Sequence, residues 1–154
     1  MIEPRTTATN KDLDWLLDRL VEQVVGTRCA VVLSDDGLVI SQSRGMERAD
    51  AERLAAIATS QQSLARGAGG IFDGGPVRQV IVELTRLWLF VSSAGRGTHL
   101  AVVADPEVDA EVMAVAMHTL VQQVGQHLGT EVRLGSSGAE GVALGEPLER
   151  RTTR

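Results

Sequence analysis

Apolar residues recur along the chain with two periods, and the switches between them mark out eight elements. Leu13, Leu16, Leu17, Leu20 and Val24 return every three or four residues, the spacing of one helix face. Thr9 and Asp12 have capping-box spacing and Gly26 offers a stop, so a first helix is predicted over about 10–25. A polar, flexible lead is expected at 1–9. The stretches 28–33 (RCAVVL) and 38–43 (LVISQS) are short, β-branched and joined through Asp36-Gly37, a hairpin signal. A second helix follows at about 47–67: Glu47, Asp50 and Glu52 open it, and Leu54, Ile57, Ala58, Gln61, Ala65 and Ala68 form its predicted core stripe. Gly67, Gly69 and Gly70 are expected to end it.

Three β-type segments come next, at 77–84, 87–93 and 98–104, separated only by Thr85-Arg86 and by a turn at Gly95-Arg96-Gly97. Connections that short dictate an antiparallel meander. Asp105, Pro106 and Glu107 read as the start of a third helix over about 106–128, with Val108, Val112, Met113, Val115, Met117, Leu120, Val124 and Leu128 as a wide apolar stripe. Residues 129–154 are glycine-punctuated and without period, and are expected to form a flexible tail. The order α-β-β-α-β-β-β-α predicts an α+β fold: one five-stranded antiparallel sheet in the order 2-1-5-4-3. The crossover helix covers one face and the terminal helices the other, giving three layers.

Composition narrows the function. The chain has 154 residues, 44% apolar and 23% charged, as expected of one globular domain. With 15 basic against 20 acidic side chains and a net charge of −5, the balance argues against a nucleic-acid binder, which needs a basic face. Cys29 is the sole cysteine, the N-terminal stretch is polar, and no run approaches a membrane span. A cytoplasmic protein without direct membrane insertion is the expectation.

No candidate catalytic or cofactor constellation survives inspection, so catalytic, cofactor and metal residues are all expected to be absent. The run Gly67, Gly69, Gly70, Gly74 and Gly75 follows a helix and opens a strand, the reverse of a phosphate-binding loop, and matches no nucleotide motif. His118 and His127, nine residues apart, fall on opposite helix faces, and His99 sits in a strand without an adjacent acidic pair. Glu107 and Glu111 suit a helix N-terminus better than a metal. Cys29 reads as a small buried hydrophobe, and no serine lies in a nucleophile elbow.

Two features instead point to association. In the predicted sheet order the third strand is an edge, and Val80, Ile81 and Val82 are consecutive β-branched residues with no proline or bulge to blunt it. On the second helix, opposite the predicted core stripe, Ala49, Ala56 and Ser63 recur at sevens with Ser60 between them. Such a small-residue stripe permits close helix approach. Both features predict a homodimer about a two-fold axis.

The strings LDWLLDRLVEQVVG, CAVVLSDDGLVI, AERLAAIATSQQSLARGAG, VRQVIVEL and LWLFVSSAG, in this element order, resemble the bacterial roadblock/dynein light chain family over about residues 10–128. Two positions depart from its pattern: Glu47 stands in place of a Ser or Thr cap, and His99 in place of a small residue. The resemblance implies a non-enzymatic homodimeric regulator that binds a small Ras-like GTPase, as a GTPase-activating protein or nucleotide-state-dependent scaffold, in a complex with a sensor histidine kinase. Arg48, Glu52, Arg53 and Arg66, beside the small-residue stripe, are the expected GTPase-facing rim. The alternative is a small-ligand sensory domain of PAS or profilin-like shape, which the scarcity of aromatics argues against.

Overall fold

The computed structural model describes residues 7–136. In chain order the elements are α1 (Thr7–Gln23), β1 (Thr27–Ser34), β2 (Val39–Gln42), α2 (Arg48–Ile71), β3 (Gln79–Leu84), β4 (Leu87–Gly95), β5 (Thr98–Ala104) and α3 (Ala110–Ser136). The strands form one antiparallel sheet in the order β2-β1-β5-β4-β3. This is the predicted α+β sandwich.

Strand alternation sorts the central residues between two cores. Ala30, Val32, Phe90, Leu100 and Val102 point to the layer of α1 and α3, where they meet Leu13, Leu17, Met113, Met117 and Val124. Val31, Leu33, Leu89, Val91 and Ala101 point the other way, onto Ala51, Leu54, Ala55 and Ala58 of α2. Because both faces are covered, Ala30 to Leu33 form a run with no exposed surface rather than an alternating one. Phe90 stacks on Trp88, ring centroids 5.8 Å apart, so two of the four aromatics work as a pair in the larger core.

Several boundaries differ from those predicted. α1 already includes Thr7 to Thr9, so Thr9 lies inside the helix instead of capping it; residues 1–6 of the expected lead lie outside the described residues. α2 continues through Gly67, Gly69 and Gly70 to Ile71, because the backbone of Gly75 sits against the last turn. A Cβ on Gly69 would lie 2.6 Å from the Gly75 carbonyl oxygen, so the glycines permit this approach instead of ending the helix.

The core stripe of α2 is also rotated from the one predicted. Ala51, Leu54, Ala55, Ala58 and Gln62 are buried, while Ile57 is half exposed. α3 begins at Ala110, not 106. Asp109 caps it, accepting bonds from the N–H groups of Glu111 (3.0 Å) and Val112 (3.1 Å). Asp105 is instead held by Arg28, and Glu107 lies in the turn before the helix. Val112 and Val115, assigned to the α3 stripe, are exposed. α3 runs to Ser136, so the segment expected to be a tail from 129 begins as helix; residues 137–154 lie outside the described residues.

Candidate functional site: the β3 edge, the outer face of α2 and the cavity beneath it

The sheet has two edges of unequal character. β2 spans four residues and its register against β1 shifts between Val32 and Leu33, which leaves little regular backbone to pair. β3 spans six residues in unbroken register with β4, from Gln79 opposite Ser92 to Leu84 opposite Leu87. Val80 and Val82 lean onto the α2 core, while Ile81, opposite Phe90, stays half exposed on the α3 side. Leu84 is 53% exposed. The edge is therefore open, regular and apolar.

The outer face of α2 is equally uncovered. Ala49, Ala56, Ser60 and Ser63 are all exposed. The rotation of the core stripe adds larger side chains to this face. Ile57 (50% exposed), Leu64 (71%) and Ile71 (78%) recur at sevens beside the small residues, and Phe72 follows them. The helix thus carries an apolar seam of heptad spacing that the described residues leave half or more exposed. The sequence hides it because Ile57 falls on the predicted core stripe.

The predicted rim residues do not form one cluster. Arg48 pairs with Glu52 (3.2 Å) and Arg53 with Asp50 (3.3 Å) on the first turns of α2, all four exposed. Arg66 lies 18 residues beyond Arg48, about 27 Å along the axis at 1.5 Å per residue, and makes no ion pair among the described residues. Such surface pairs each contribute about 0.2–1 kcal/mol at most, so they shape the field of the helix end more than its stability.

One polar cluster was not anticipated. His99 stands in the central strand β5 and was expected to lack an acidic neighbour, but the fold carries Asp35, in the β1–β2 turn, onto it. The ring Nε2–H donates to Asp35 Oδ1. Asp35 is itself pinned, its N–H donating to Gly97 O at 2.8 Å. Among the described residues His99 Nδ1 and the Nε2 of Gln62, both buried, make no hydrogen bond. Leaving such groups unpaired costs about 1–3 kcal/mol each. The one available signal was a histidine inside an otherwise apolar strand. The other histidines stay apart: His118 is exposed beside Gln122, and His127 lies 4.0 Å from Asp12. Burial pushes the Cys29 thiol up from its ordinary value, with Arg28 opposing. Among the described residues no group of three or more His, Cys, Asp or Glu is placed to hold a metal ion, and no helix is long and apolar enough to cross a membrane.

The domain is thus a sheet between helix layers, with one regular strand at its edge and one exposed helix face. Its family follows from comparison: the Roadblock/LC7 domain model matches residues 13–104, and the chain belongs to that family. A crystal structure of a Roadblock/LC7 domain from Streptomyces avermitilis is 50% identical, with a TM-score of 0.72, covering 75% of this chain and 96% of that one. A second Roadblock/LC7 domain from the same organism is 40% identical, with a TM-score of 0.60, covering 72% of this chain and 96% of that one. MglB of Myxococcus xanthus shares the fold at 15% identity, with a TM-score of 0.70 over 84% of this chain and 94% of that one. No curated protein matches.

Proposed function

We propose that the chain is a cytoplasmic, homodimeric regulator of a small Ras-like GTPase, acting as a GTPase-activating protein or nucleotide-state-dependent scaffold in a complex with a sensor histidine kinase. The observation that carries the reading is the exposed seam of α2, with Ile57, Leu64 and Ile71 at sevens beside Ala49, Ala56, Ser60 and Ser63. A two-fold axis perpendicular to the sheet at the β3 edge pairs β3 antiparallel with its own copy at Val80, Ile81 and Val82 and makes one ten-stranded sheet, a doubling of the five strands present. The same axis lays two α2 helices side by side over the face to which Val80 and Val82 point. Arg48, Glu52, Arg53 and Arg66 then border a paired-helix platform, and the GTPase docks there. Membership of the Roadblock/LC7 family and the fold shared with MglB support a regulatory adaptor role.

A partner biases a switch only through unequal affinity for its states. The test is co-purification from the native cells, identification of the GTP-binding subunit, and titration of this protein against its GTP-loaded and GDP-loaded forms. Tighter binding to one form, weakened through association rate by Arg53→Glu or Arg66→Glu, is the expected result. Equal affinity for both forms with an unchanged hydrolysis rate refutes the regulatory reading.

A further inference from the structure

Residues 79–83 of β3 read Gln-Val-Ile-Val-Glu, a near palindrome about Ile81. When a strand pairs antiparallel with its own copy, residues at equal distances on either side of the axis face one another, so a symmetric strand meets like with like. The palindrome lies at the edge of the sheet, in unbroken register with β4 on its inner side.

The backbone picks the same centre. The two-residue connection Thr85-Arg86 closes on Leu84 opposite Leu87, the pair that exchanges both backbone hydrogen bonds in a hairpin of this length. Alternation from there turns the N–H and C=O of Leu84, Val82 and Val80 towards β4, and those of Glu83, Ile81 and Gln79 outwards. With Ile81 opposite itself, every outward residue faces an outward residue of the copy: Ile81 meets its counterpart, and Gln79 meets the partner's Glu83 on either side of the axis. An axis at Val80 or Val82 instead leaves one outward residue facing Val77 or Thr85, which lie outside the strand.

The side chains agree. Gln79, Ile81 and Glu83 share the α3 face. Ile81, half exposed there, meets the partner's Ile81, which the other two registers replace by Gln79 or Glu83. Glu83 is exposed and makes no ion pair among the described residues. The Gln79 amide donates to Ser92 Oγ at 3.2 Å, and its nitrogen otherwise meets Met117 Sδ at 3.9 Å, a weak acceptor that a carboxylate displaces. On the other face Val80 comes opposite the partner's Val82, which extends the core beneath α2.

We propose that β3 is coded for its own copy in this one register, with Ile81 on the two-fold axis and Gln79 donating to the partner's Glu83. That pair selects the partner strand, because a strand that places an acid opposite Glu83 is rejected by like charge. The inference rests on the β3 pairing proposed above and adds to it the register and the residues that choose the partner.

The test is cysteine cross-linking of the full-length chain in a Cys29→Ser background. Facing residues of an antiparallel pair have Cα atoms about 4.5–5.5 Å apart, within disulfide reach, whereas diagonal neighbours stand ~7–8 Å apart, beyond it. Ile81→Cys is expected to cross-link with itself on mild oxidation. Val80→Cys and Val82→Cys are expected to cross-link when co-expressed with each other and not when expressed alone. Sedimentation equilibrium reads the side-chain pair: Gln79→Glu, which sets like charges opposite each other on both sides of the axis, is expected to raise the dissociation constant about tenfold. Gln79→Glu combined with Glu83→Gln, which exchanges the two groups, is expected to restore it. A wild-type protein that is monomeric at micromolar concentration removes the dimer and this register with it. A dimer in which Val80→Cys or Val82→Cys cross-links with itself, or in which none of the three positions cross-links, overturns the register and leaves the dimer standing. An exchanged double variant no tighter than Gln79→Glu overturns the selection by this pair.

Discussion

Leu64→Ala separates the proposed dimer seam from an ordinary exposed surface. Leu64 is 71% exposed in the single chain, so its truncation leaves the folded monomer within about 0.5 kcal/mol of its original stability. In the dimer the same side chain is covered. Leu to Ala removes three carbons, worth ~2.4 kcal/mol at about 0.8 kcal/mol per buried CH2, and scaling by the exposed fraction gives ~1.7 kcal/mol per protomer. An isologous interface uses each residue twice, so the dimer loses ~3.4 kcal/mol. At 1.4 kcal/mol per tenfold, the dissociation constant rises by roughly two to two and a half orders of magnitude. Sedimentation equilibrium over a dilution series measures it directly. Val115→Ala, an exposed valine on α3 in the opposite layer, serves as the control and should change nothing. A wild-type protein that is monomeric at micromolar concentration, or equal dissociation constants for wild type and Leu64→Ala, would show that the seam is bare surface.

Other expectations concern local structure. Asp109→Ala removes the cap of α3 and should cost about 1 kcal/mol, lowering the thermal midpoint by ~2–4 °C, whereas Asp105→Ala, which loses only an exposed ion pair with Arg28, should cost less. Gly69→Ala drives a Cβ to 2.6 Å from the Gly75 carbonyl oxygen, so calorimetry should show destabilisation of about 1–3 kcal/mol where helix propensity alone predicts a gain. Cys29 should react slowly with a disulfide reagent at neutral pH in the native protein and quickly in denaturant, since burial raises its thiol pKa. The raised value has a linked sign: that contribution to stability is complete below the unfolded pKa and is lost as pH climbs through the folded one. Rapid native labelling would place the thiol outside the core.

Period and punctuation alone determined most of the architecture. Leu13, Leu17, Leu20 and Val24 face the core as their spacing requires, and the short turns at Thr85-Arg86 and Arg96-Gly97 impose the meander, because two-residue connections allow no other pairing. The edge position of β3 followed from that topology. Local signals failed where a distant segment supplied the competing term. Pro106 and Asp105 promised a helix start, yet Arg28 takes Asp105 and Asp109 caps instead. Gly67, Gly69 and Gly70 promised a helix end, yet the approach of Gly75 keeps the helix going.

Which of Ile57 or Gln62 lies beneath α2 was decided by how the helix sits on the sheet. A rotation of one position is invisible to a stripe of alanines, whose faces differ little in hydrophobicity. That rotation set Ile57 in the exposed seam and buried Gln62. The pairing of His99 with Asp35, 64 residues apart, likewise exists only because the β1–β2 and β4–β5 turns meet at one end of the sheet. Local pattern determined the elements and their order. The tertiary structure alone decided which polar groups meet, because that depends on register between segments that share no local sequence.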